Sequence, residues 1–195
     1  MSKKPESTFM NMVLRLLIVV GVAGAVLGFV YIQTFDVIEA AKKKKLENAI
    51  SKVVPSFDTL VIFSMKPETG KDSLIFYKAY SNDSLVGTAI KTYTEKGFSG
   101  VFRIMVGFDT KGCIISTAVL EHKETPGLGD KMDKKKSSWS NQFNGKNPDT
   151  YNLKVTKDGG DVDAITAATI SSRAFCDATK RAYKSFKKEG EKSDE

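Results

Sequence analysis

The stretch GFSGVFRIMVGFDTKGCIISTAVLE, residues 97–121, decides the fold. Phe102, Ile104, Val106 and Phe108 alternate with their neighbours, Asp109-Thr110-Lys111-Gly112 interrupts, and Ile115, Thr117 and Val119 then alternate again. A period of two on both sides of a polar, glycine-containing turn predicts a β-hairpin with one buried face. Upstream, LVIFSM (60–65), SLIFYKAYS (73–81) and LVGTAIKTYT (85–94) read as strands separated by the turn signals KPETGKD and ND.

Downstream come the loop EHKETPGLGDK (121–131), a short helix carrying Trp139 and Phe143, and a second hairpin expected from Tyr151–Thr156 and Val162–Ile165 about KDGGD. Phe175, Thr179, Ala182 and Phe186 mark one face of a terminal helix. Hairpin-linked strands with segregated helices predict an α+β domain.

Ahead of this domain, Leu16 to Ile32 is an unbroken apolar or glycine run. It is long enough for a bilayer, which takes about 20 residues, and longer than the apolar region of a cleaved signal peptide. Arg15 suits one interface and Tyr31 the other. The expected organisation is a short tail (1–11), a transmembrane anchor (12–38), a helical stalk (39–56), the folded domain (57–188) and a charged tail (189–195).

Thirty Lys and Arg against 23 Asp and Glu leave a formal charge of +7, much of it in Lys42–Lys45 and Lys134–Lys136. No arginine–aromatic stripe accompanies these runs, so solvated or lipid-facing patches are expected rather than a nucleic-acid surface. Lys3, Lys4 and Arg15 precede the span, and Lys42–Lys45 with Lys52 follow it. The positive-inside count alone would put the domain in the cytoplasm. Cys113 and Cys176 lack metal-like spacing and read as free thiols, although an extracytoplasmic location would permit a disulfide.

Two places can carry chemistry. In DAITAATISSRAF (163–175) a strand ending at Ile165 is expected to meet the terminal helix. The N–H groups of Ile170, Ser171 and Ser172 would then point at Thr166–Thr169 as an anion site. The bland reading makes Thr166 or Thr169 an N-cap only. The small pair Ala167-Ala168 lets a bulky group approach the backbone. In HKETPGLGD (122–130), Gly127 and Gly129 free the chain for close approach and Pro126 fixes a bend. His122 is the only histidine, which excludes a histidine-rich metal site, and no Walker loop, CxxC or GxGxxG motif is present.

Together, GFSGVFRIMVGFDTKGCIISTAVLEHKETPGLGDK and DAITAATISSRA resemble the covalent FMN-binding domain of the G subunit of the Rnf electron-transport complex. The C subunit of the Na⁺-translocating NADH:quinone reductase is a near relative. The resemblance covers residues 95–185, and the single anchor accords with it. It implies that Thr166-Ala167-Ala168-Thr169 matches an S/T-G-A-T motif whose last threonine, Thr169, is esterified to the FMN phosphate. A flavin transferase using FAD and Mg²⁺ would attach it, with Asp163 in the recognition sequence. The helix N–H groups and the remaining hydroxyls, including those of Ser171 and Ser172, would hydrogen-bond the phosphate. Glu124, Thr125, Pro126, Gly127, Leu128 and Gly129 would lie against the flavin and its ribityl chain.

Ala167 stands where the family has glycine; a positive φ there would cost of order 1 kcal/mol. The implied protein is a single-pass inner-membrane electron carrier with its FMN domain on the periplasmic side, against the positive-inside count. Its implied partners are the other subunits of a complex coupling ferredoxin and NAD chemistry to ion translocation, the transferase, and membrane lipid, with no nucleic acid. No acid, base or nucleophile set is visible, so the chain alone is expected to catalyse no complete reaction. Compact length favours the Rnf-type subunit over the quinone-reductase one. Two rival readings are an anchored extracytoplasmic binding module without flavin, and a hydrolase using Ser171 or Ser172 with His122.

Overall fold

The structure is a computed structural model that describes residues 8–193; residues 1–7 of the expected N-terminal tail and residues 194–195 of the charged tail lie outside the described residues. It divides into two units, the chain up to Lys44 and the chain from Lys45 onward. From Phe9 onward the first unit is helical and belongs to α1, Phe9–Val53. Its side chains are exposed, its most apolar window has a mean hydropathy of 2.5, and it is long and apolar enough to cross a membrane. Nothing in residues 39–53 breaks a helix, so α1 runs on through the expected stalk and stops just before Pro55.

In the second unit, five strands form an antiparallel meander: β1 (Thr59–Met65), β2 (Leu74–Ser81), β3 (Ser84–Gly97), β4 (Gly100–Phe108) and β5 (Ile114–Glu121). The β2–β3 turn uses Asn82 and Asp83 at φ 49° and 60°, the positive values that a two-residue hairpin turn requires. In the β4–β5 turn Asp109 Oδ1 accepts the N–H groups of Lys111 (2.9 Å) and Cys113 (2.8 Å).

The predicted hairpin is present with one change. A register shift beside Phe108 pairs it with Ile114, so Ile114 joins Thr117 and Val119 on the core face and Ile115 does not.

Both faces of the sheet are covered. On one, Ala49, Ile50, Val53 and Val54 pack against Tyr77, Ala79, Ala89 and Met105. The second half of the expected stalk, from Lys45 onward, is therefore part of the folded unit. Gly107 has no side chain because one would overlap the Val53 carbonyl. On the other face, Phe76, Ile90, Phe102, Ile104, Val106 and Phe108 meet α2 (Thr169–Ser193) through Ala174, Phe175, Ala178 and Ala182.

The expected hairpin over 151–165 does not form. The chain instead makes a 3₁₀ turn at Thr156–Asp158 and one isolated parallel bridge, Val155 to Val162. Leu153, Val155, Val162 and Ile165 all enter the core, so their apolar character serves burial rather than strand pairing.

A polar clasp fixes α2 to β3. Asp177 accepts from Thr94 Oγ1 (2.9 Å), Lys96 Nζ (2.6 Å) and Arg181 Nη2 (3.1 Å). Burial pushes its carboxyl up, but the hydrogen bonds from Lys96 and Thr94 and the neighbouring charges outweigh this and hold it below its ordinary value. A depressed folded-state pKa stabilises above the unfolded value and is lost as pH falls through the folded one. Asp177→Asn should lower the melting temperature at neutral pH, and the gap to wild type should begin to shrink as pH falls below about 4 and close below the depressed folded-state value. A gap that persists unchanged in acid would contradict this.

Candidate functional site

Residues 163–168 form an irregular connection, not a strand, and are held by side chains reaching the backbone. Trp139 Nε1 donates to the Asp163 carbonyl (2.6 Å), Gln142 Nε2 donates to the same oxygen (3.2 Å), and Asp163 N–H returns to Gln142 Oε1 (2.8 Å). Ser172 Oγ accepts Ile165 N–H (2.9 Å) and donates to the Ala168 carbonyl (3.0 Å). Ala168 N–H closes a turn onto Ile165 O at 3.0 Å, and Ala167 sits at φ 60°.

The helix opens at Thr169, and its first bond runs from Ser172 N–H to Ala168 O (3.0 Å). The open N–H groups are therefore those of Thr169, Ile170 and Ser171, which find no acceptor among the described residues. Ser172, expected in that set, is already used.

The hydroxyls divide in a way that spacing alone does not reveal. Ser171 Oγ makes a short hydrogen bond to Glu124 Oε2, and Ser172 Oγ ties the turn. Neither is left for a phosphate as expected. Thr166 and Thr169 make no side-chain hydrogen bond among the described residues, so neither caps the helix. Thr166 is exposed away from the cavity described next; Thr169 is half-buried and lines it.

That cavity, about 310 Å³, lies between the two sequence motifs. The loop contributes Glu124, Thr125, Leu128 and Gly129, and the helix start contributes Ala167, Ala168, Thr169, Ile170 and Ser171. Pro126, Gly127, Thr166, Ser172 and Asp163 do not line it, and Asp163 is exposed.

Phe98 completes the wall and is absent from the residues expected there; its only signal in the sequence is an aromatic between Gly97 and Gly100 at a hairpin tip. Phe98 is 67% exposed, Ile170 47% and Leu128 40%, which makes an apolar rim beside polar N–H groups. This volume suits a small cofactor. The three N–H groups at the start of α2 suit a phosphate, and the apolar rim suits a flat aromatic ring, so the residues present fit FMN.

His122 does not serve a hydrolase. Its Nδ1 accepts the Glu124 N–H (3.2 Å), it does not line the cavity, and both candidate serine hydroxyls are engaged elsewhere. Among the described residues no group of three or more His, Cys, Asp or Glu side chains could hold a metal ion. Both cysteines are free, and burial pushes the Cys176 thiol up to about 12.

Comparison with known proteins accords with this geometry. A family model described as FMN-binding domain matches residues 97–184, which include both motifs. The G subunit of the ion-translocating oxidoreductase complex of Aliivibrio fischeri is 35% identical over 181 residues, 86% of each chain. The G subunit of the same complex from Vibrio vulnificus is 35% identical over 157 residues, 75% of this chain and 74% of that one. The one from Escherichia coli K12 is 42% identical over 119 residues, 60% and 58%.

The positive φ of Ala167 is a strain that glycine would not feel. Ala167→Gly should stabilise the domain by about 1 kcal/mol, raising the melting temperature by about 2–4 °C. An unchanged or lower midpoint would show that the surroundings already compensate.

Proposed function

The chain belongs to the family of G subunits of ion-translocating oxidoreductase complexes, and from that premise we propose that it carries FMN as a phosphoester on Thr169. It is a membrane-anchored FMN electron-transfer subunit that works with the other subunits of such a complex. The observation that carries the attachment site is the hydroxyl inventory. Of the four hydroxyls in TAATISS, Thr169 alone faces the cavity without a protein partner, and it does so beside three open N–H groups.

In the attachment step Thr169 Oγ1 forms a bond to the flavin-side phosphorus of FAD as the pyrophosphate bond breaks. AMP departs, and the hydroxyl proton passes to a base on the transferase. Asp163, exposed and with its backbone clamped by Gln142 and Trp139, offers the transferase a fixed acidic contact. Once bound, FMN supplies the electron-accepting and electron-donating chemistry. The protein tethers the flavin and sets its surroundings.

The domain faces the periplasmic side, and Lys42–Lys45 meet anionic headgroups or a neighbouring protein of the complex. Electrons pass within a chain linking ferredoxin and NAD to ion movement. The relatives named above are G subunits of ion-translocating oxidoreductase complexes, which favours this reading over the quinone-reductase one.

The test compares wild type, Thr169→Ala and Thr166→Ala, each exported in a host with the flavin transferase, by in-gel flavin fluorescence after denaturing electrophoresis. The wild-type and Thr166→Ala bands should fluoresce and the Thr169→Ala band should be dark. A dark wild-type band beside a working control would replace this reading with that of an anchored binding module.

A further inference from the structure

Glu124 is 4% exposed and stands where three separate segments meet. Its Oε1 accepts the Ser99 N–H at 2.9 Å, in the β3–β4 turn that carries Phe98. Its Oε2 accepts the Ser171 hydroxyl, in the first turn of α2 that carries Thr169. Glu124 itself begins the TPGLG loop. Among the described residues no other hydrogen bond joins any two of these three walls.

Two glycines, one in the β3–β4 turn and one in the TPGLG loop, lie close against this carboxyl group. A Cβ on Gly97 would come within 2.3 Å of the Gly100 carbonyl and 2.8 Å of Oε1, and one on Gly129 within 2.6 Å of Ser171 Oγ and 2.7 Å of Oε2. Gly129 leaves room for the carboxyl group and for the Ser171 hydroxyl bound to it, whereas Gly97 answers first to the Gly100 carbonyl of its own turn and only then to Oε1.

We propose that Glu124 is the positioning residue of the flavin site, a tie rather than a flavin ligand. It holds the three walls in register and so sets where the Thr169 hydroxyl stands. A carboxylate in the wall of the cavity also opposes negative charge added beside it, which keeps a bound flavin hard to reduce. The inference rests on the flavin reading given above. A residue that matters only for folding would shift stability and leave the midpoint potential alone.

The experiment uses the full-length chain as wild type, Glu124→Gln and Glu124→Ala, with purified flavin transferase, FAD and Mg²⁺. It records the rate of covalent flavin incorporation, the melting curve of the unmodified protein and the midpoint potential of the loaded protein. Glu124→Gln keeps an acceptor for Ser99 N–H, so it should load flavin, but with a higher midpoint potential than wild type. Glu124→Ala leaves both donors without their partner and should load about tenfold more slowly or worse, because the acceptor hydroxyl is no longer held in place. Wild-type potential in Glu124→Gln, or wild-type loading in Glu124→Ala, overturns the proposal. If Glu124→Ala gives no cooperative melt, the potential of Glu124→Gln decides alone. Failure of wild type to load flavin would instead sink the flavin reading itself.

Discussion

The close packing of α2 across β3 is the constraint on which the rest depends. Ala174, Ala178 and Ala182 recur every four residues and keep the helix near the sheet, near enough for Thr92 Oγ1 on β3 to reach the Ala178 carbonyl at 3.1 Å. Phe175 fills the gap at the helix start between Trp139 and Phe143, with ring centroids 5.2 and 5.0 Å away. A fully buried phenylalanine is worth about 2–3 kcal/mol. With that face buried, the first turn of α2 has one place to be. It falls at the end of the sheet where β3 ends, β4 begins and β5 runs out into the loop that starts at Glu124. Two motifs far apart in sequence thus share a wall because of core packing that starts at Ala174 and Phe175, the end of one motif, and continues through Ala178 and Ala182 beyond it.

The strands are legible because each has a period of two and a turn signal at its end, information carried by neighbouring residues. What fails depends on distant ones. Strict alternation puts Ile115 in the core and cannot foresee the shift beside Phe108. The segment 151–165 has the apolar residues of a hairpin, yet Leu153, Val155, Val162 and Ile165 are consumed by the core without a ladder. The end of α1 reads as a stalk because Ala49, Ile50 and Val53 are too few to advertise a buried face, and the residues that receive them, from Tyr77 to Gly107, are far along the chain. At the site, residue types point to the right segments. Which hydroxyl stays free cannot be read, since Glu124 and the Ile165 N–H decide it.

The rim of the cavity gathers several unsatisfied or exposed groups in one place. Where α2 packs on the sheet, the buried hydroxyls of Ser171, Ser172, Thr92 and Thr94 have partners, although those of Thr117 and Ser140 elsewhere in the core find none among the described residues. At the rim three N–H groups and the Thr169 hydroxyl lack partners among the described residues, Phe98, Leu128 and Ile170 face solvent, and Ala167 adopts a backbone conformation suited to glycine. Each of these is a small liability. Clustering of local-rule violations is characteristic of sites shaped for something other than stability. A segment evolved only to start a helix would put a capping oxygen over the open N–H groups, at a gain of about 1 kcal/mol. Here both threonines decline that role, although either is the right residue type. The groups left open combine anion donors with a flat apolar surface, the complement of a phosphate joined to an aromatic ring system, and this mixture separates the flavin reading from that of a plain helix start.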